Sequence, residues 1–254
     1  CSITNLRRVD GTSYVGGFAG KVDPGSVAAI DTATKQGLLN KLLDALMVNA
    51  PAELIKVLNA SVSTIRCASV SAWDDWGVIV NGTYQNGSNT GYAKAAGGFA
   101  GSLCGAVLGE KDKPESGICA DKIRSVVAGE YAGGCFGIAD VSGAANISAG
   151  SETSVLQYLL KLGKTDVLDA FRSYVYYGNV TGSPDAGLGV SANTATDTGQ
   201  NNQVTYSGTA GGFGGSLLNG SVKNSNVTGL NYVTGMNSVG GFVGYSGKSG
   251  VVKM

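Results

Sequence analysis

The pentapeptide Gly-Gly-aromatic-x-Gly limits what this chain can fold into more than any other feature, because it recurs five times. The copies are Gly16-Gly17-Phe18-Ala19-Gly20, Gly97-Gly98-Phe99-Ala100-Gly101, Gly133-Gly134-Cys135-Phe136-Gly137, Gly211-Gly212-Phe213-Gly214-Gly215 and Gly240-Gly241-Phe242-Val243-Gly244. In the third copy Cys135 stands in place of the aromatic residue and Phe136 follows it. A short apolar residue precedes each pair: Val15, Ala96, Ala132, Ala210 or Val239. A glycine pair lets the backbone take positive φ or run very close to another chain, and the aromatic residue between glycines points into an interior. The same bend recurring along one chain marks a solenoid, in which no coil buries its apolar face without a neighbour.

The stretches between bends follow two patterns. Val70, Trp73, Trp76, Val78, Val80 and Tyr84, and later Val222, Val227, Leu230, Val233 and Val239, are interleaved with polar residues and turn dipeptides such as Asn81-Gly82, as in short strands. Residues 37–62 instead carry Leu38, Leu39, Leu42, Leu43 and Leu46, then Leu54, Ile55 and Leu58 after Pro51, at helical spacing. Residues 151–175 repeat that pattern with Leu156, Leu159, Leu160, Leu168, Phe171 and Val175. The expected fold is mostly β: a β-solenoid with two inserted α-helical hairpins that cap or flank it. Tyr14 recurs as Tyr131, 117 residues on, and Gly97 as Gly211, 114 on. One continuous solenoid is thus expected over 1–254, with repeat units at 14–130 and 131–237 and partial units at 1–13 and 238–254. Both ends fall within a repeat, so the chain reads as a slice of something longer.

Composition narrows the function. Eighteen basic residues balance 18 acidic ones and no basic cluster occurs, which disfavours nucleic acid and acidic membranes as partners. Histidine is absent, removing Ser-His-Asp and Cys-His chemistry together with the commonest metal ligand. No Cys-x-x-Cys pair offers a zinc site. No cofactor is expected, and no run approaches the ~18 apolar residues of a membrane-spanning helix.

The bends, with strands such as 220–229 leading into Val239-Gly240-Gly241-Phe242-Val243-Gly244, resemble the GLUG-type repeats of bacterial surface adhesins, here of the helix-bearing kind found in very large cell-wall-associated proteins of Gram-positive anaerobes. The resemblance implies a right-handed parallel β-helix, an extracellular place at the cell surface or wall, and an adhesive or stalk role. Implied partners are neighbouring repeats, copies of the same chain, and a host glycan or protein ligand. The family has no catalytic residues to transfer. Five cysteines in such a chain suggest disulfides made outside the cytosol. Cys104 and Cys119 flank the charged loop 109–116, and both are missing from the corresponding part of the second unit, as a bonded pair would be; the remaining Cys67 and Cys135 could form a second pair, though no spacing requires it, and buried free thiols are the alternative.

The most site-like cluster is Asp74-Asp75 between Trp73 and Trp76. Two carboxylates beside indoles suit sugar binding, or acid–base cleavage of a polysaccharide with Asp185 as a further carboxylate. Neighbouring strand residues face opposite ways, however, and a turn whose tryptophans pack on a helical insertion is the plainer reading. Thr194, Thr196 and Thr198 alternate as in an ice-binding ladder, or as in ordinary exposed β-structure. A non-catalytic surface repeat protein is the preferred function; a carbohydrate-active β-helix enzyme is the alternative.

Overall fold

Between the bends, apolar residues alternate with polar ones, and these segments form parallel strands whose apolar side faces inward. The computed structural model describes residues 1–23, 62–86, 89–140, 172–197 and 204–253. Among them the chain runs through three parallel sheets in turn, and it does so five times. The sheets have nine, five and eight strands. The second pass shows the plan: Ala68–Ala72 and Val78–Asn81 in the first sheet, Ala95–Gly97 in the second, Ala100–Cys104 and Ala106–Leu108 in the third. The passes cover residues 2–65, 68–108, 118–176, 178–223 and 226–253.

Register turns sequence alternation into ladders of stacked side chains. Val9, Val80, Val126, Val190 and Val233 form one ladder, and Val15, Ala96, Ala132, Ala210 and Val239 another. Ile65, Leu108, Val175, Val222 and Val252 form a third. The inward residues of the three sheets make one contiguous core. Each large apolar side chain buried there contributes roughly 1.5–3 kcal/mol.

The five bends superpose in these ladders, with Gly16, Gly97, Gly133, Gly211 and Gly240 side by side. At each of the first four bends two successive N–H groups donate to one carbonyl of the next pass. Phe99 and Ala100 donate to Cys135 O at 2.9 Å each, and Phe213 and Gly214 donate to Phe242 O at 2.8 and 3.0 Å. The two leading glycines are required for different reasons. A methyl group on the first would strike the carbonyl oxygen three residues ahead in its own pass, as Gly97 would strike Ala100 O. A methyl group on the second would strike the second glycine of the following pass: Gly17 against Gly98 O, Gly98 against Gly134 O, Gly134 against Gly212 O, Gly212 against Gly241 O. Gly241 would meet nothing within 4 Å.

Aromatic stacking follows the same ladder. Phe18 lies on Phe99 and Phe213 on Phe242, each with centroids 4.8 Å apart. In the third pass Cys135 holds the ring position, and Phe136 sits in register with Ala100 and Gly214 instead. Its ring meets Phe213 edge to face at 5.9 Å, in the space where a Cβ on Gly214 would be. The missing side chain at 214 therefore accommodates the displaced aromatic.

The expected helical hairpins at 37–62 and 151–175 lie outside the described residues except at their ends, and the described residues contain no α-helix. At one end the expectation is corrected: Val175 belongs to the strand Ser173–Tyr176. Its ladder partners are Leu108 and Val222, and the buried Ser173 hydroxyl bonds Gly105 N, Leu103 O and Asp140 O. Neighbouring passes thus satisfy the segment as a strand, overriding its helical spacing. Two antiparallel hairpins, Thr83–Asn86 with Asn89–Tyr92 and Thr194–Asp197 with Val204–Ser207, stand apart from the stacked sheets. Thr194 and Thr196 are therefore not rungs of a ladder across passes, and Thr198 lies outside the described residues. Among the described residues no helix is long and apolar enough to cross a membrane.

Candidate functional site

Where the two strands of the first sheet meet, the passes differ in a regular way. The first, third and fifth turn through a single left-handed residue: Asn5, Lys122 or Gly229, with φ of 60°, 55° and 66°. The second and fourth insert a five-residue loop between Ala72 and Val78 and between Gly182 and Leu188. Each loop closes on a positive-φ glycine, Gly77 or Gly187. With only one tight corner between them, the two loops touch. The buried Ser183 hydroxyl lies 2.7 Å from Asp75 O and 2.9 Å from Trp76 O, and Asp185 N donates to Asp75 O at 3.4 Å. Beneath, the Gly77 backbone passes so close to Lys122 that a Cβ would lie 2.6 Å from its carbonyl oxygen.

On this anchored backbone the side chains point to solvent. Trp73 is 60% exposed and Trp76 53%, and the loop's own carbonyl ties hold it in place; the insertion expected to pack against them lies outside the described residues. The Arg124 guanidinium lies 3.5 Å from the centroid of Trp76 and donates to its carbonyl at 3.4 Å. The carboxylates diverge, as the strand argument anticipated, but because they flank a turn. Asp74 reaches Arg7 of the first pass at 3.8 Å and Asp75 reaches Lys122 of the third at 2.7 Å. The hydrogen bond to Asp75 is the main reason the Lys122 ammonium sits above its ordinary pKa. Two carboxylates held apart by separate cations do not form an acid–base pair across one bond.

Sequence reading found Trp73, Asp74, Asp75, Trp76 and Asp185 but missed Arg7, Lys122, Arg124 and Ser183. The usable signal was the shared five-residue spacing ending in Gly77 and Gly187, which puts both loops at one corner. A separate cleft of about 310 Å³ is lined by Thr12, Ser13, Tyr14, Tyr92, Ala93, Lys94 and Glu130. It contains none of the three aspartates named above.

The expected Cys104–Cys119 disulfide is not present, and all five cysteines are free thiols. Cys104 closes a strand of the third sheet, its sulfur 3.3 Å from Ser102 Oγ, whereas Cys119 lies in the first sheet beside Asn179. The strand 106–108 and the loop after it separate them. Burial, then the charge of Asp121, raises the Cys119 pKa, and full burial raises that of Cys135 much further. Among the described residues no group of acidic or cysteine side chains could hold a metal ion. Comparison with protein-family models, curated proteins and solved structures finds no match.

Proposed function

We propose that this chain folds as a right-handed parallel β-helix of a secreted or cell-surface repeat protein. In this reading it is a non-catalytic adhesive or stalk-like scaffold of the GLUG-repeat kind whose passes stack end to end. The observation that carries the proposal is Gly241. In four passes the second glycine is required by the carbonyl of the pass that follows. The fifth pass keeps the same residue with nothing among the described residues to require it. Its face also leaves Tyr232, Met236, Val239, Tyr245 and Val252 exposed, a patch of the kind that marks an interaction surface. Another pass of the same type, from a neighbouring repeat or a second copy, suits that edge, as unpaired strand edges accept further strands.

Electron microscopy of the purified chain beside its Gly241→Val variant tests this. Five passes at about 4.8 Å spacing span only about 24 Å, so longer rods report association. Rods from the parent chain, lost in a variant of unchanged thermal midpoint, are the expected result. A parent chain that stays monomeric at all concentrations would overturn end-to-end stacking. Turnover of a polysaccharide that disappears in Asp75→Asn would overturn the non-catalytic reading.

A further inference from the structure

Exposed tryptophan is costly unless something covers it, and here two lie on one five-residue loop fixed from beneath. The Ser183 hydroxyl sits between two loop carbonyls, and Gly77 fits where no side chain would. Arg124 holds the Trp76 indole in one orientation by lying against it, which leaves the rest of the ring open. The corner is therefore preorganised, and little order remains to be gained when a ligand arrives.

The charges say what kind of ligand fits. Arg7, Lys122 and Arg124 stand among Asp74, Asp75, Asp121 and Asp185, so the corner carries charges of both signs. An anionic ligand would meet the carboxylates, and a cationic one would meet a guanidinium already beside the indole. An uncharged ligand with many hydroxyls meets neither obstacle. Its C–H faces suit the electron-rich indole surface, and its hydroxyls can donate to Asp74 and Asp75 or accept from Lys122 and Arg7.

We infer that the corner formed by Trp73, Asp74, Asp75 and Trp76, seated on Ser183 and Arg124, binds an uncharged saccharide. This rests on the adhesion reading only in supplying its ligand class. Binding is measured on the unassociated chain, so it fails or stands separately from end-to-end stacking.

The chain contains only two tryptophans, both in this loop, so tryptophan emission, excited at the long-wavelength edge where the 11 tyrosines do not absorb, reports on this site alone. The experiment titrates the intact Gly241→Val chain with neutral gluco-, manno-, galacto- and N-acetylglucosamine oligosaccharides, and with sulfated and sialylated counterparts. A saturable change in emission with at least one neutral series is expected. Calorimetry on Trp73→Ala and Trp76→Ala should show affinity weakened about tenfold or more, with Trp73→Phe retaining most of it. Because both side chains are exposed, unchanged thermal midpoints separate lost binding from lost fold. Silence across the neutral series, equal affinity in the alanine variants, or preference for sulfated or sialylated sugars would each overturn the assignment. So would a tryptophan-dependent protein ligand found without any saccharide binding.

Discussion

Gly212 and Gly241 occupy the same place in successive passes, yet one is confined by its neighbour's carbonyl and the other borders open space. The rings beside them differ likewise, with Phe213 fully buried between passes and Phe242 covered on one side only. The motif is therefore a requirement that each pass places on its predecessor as much as on itself. Residues that look equivalent along the chain should differ in their contribution to stability according to what is stacked on them.

Valine substitution gives the largest contrast. Gly98→Val and Gly212→Val should destabilise by more than about 3 kcal/mol or prevent folding, whereas Gly241→Val should stay within about 0.5 kcal/mol. Denaturant midpoints measure both, and equal effects would remove the distinction between inner and outer passes. Ring removal comes next. Phe99→Ala and Phe213→Ala should each cost about 3–5 kcal/mol and Phe242→Ala roughly 1–2 kcal/mol, read by the same unfolding curves. The third pass sharpens the comparison further. Gly214→Ala should cost about 1–3 kcal/mol by crowding Phe136. Combined with Cys135→Phe and Phe136→Ala, which restore the pattern of the second pass, it should cost much less, and a mutant cycle reads the coupling.

Thiol labelling in native protein should follow burial, with Cys1 and Cys67 reacting first and Cys135 only on unfolding. Burial disfavours the reactive thiolate at Cys119 and Cys135, so raising the pH to about 8 should leave that order intact, as timed mass spectrometry would show. The smallest effect lies on the surface of the first pass. Hydrogen bonds from Arg8 and then Asn81 lower the Asp10 pKa. Its small contribution is therefore present above the ordinary carboxylate pKa and lost as pH falls through the lowered folded value. Acid titration of Asp10→Asn should lack that component.

The bends were legible because five glycine pairs cannot recur at apolar positions by accident of composition. What the second glycine of each inner pair avoids was not, since the obstructing carbonyl belongs to a pass more than 25 residues away, as Gly98 and Gly134 show. Val175 was misread because valine serves a helical stripe and a strand ladder equally well, and only Leu108 and Val222 on either side decide between them. Trp73 and Trp76 were recognisable as a cluster, but their exposure depends on Ser183, 107 residues from Trp76 in the chain. The proposed Cys104–Cys119 pairing failed because closeness in sequence says little when a sheet boundary intervenes.

Each pass bonds chiefly to the passes beside it, along the direction in which they stack. Stability in such an array is close to a sum of neighbour terms, and opening proceeds from an end. Under tension between its first and fifth passes the molecule should yield in instalments, the outermost pass peeling away first. Release of residues 226–253 alone would add about 95 Å of slack, at roughly 3.4 Å per residue. A tether built this way lengthens under load before it lets go.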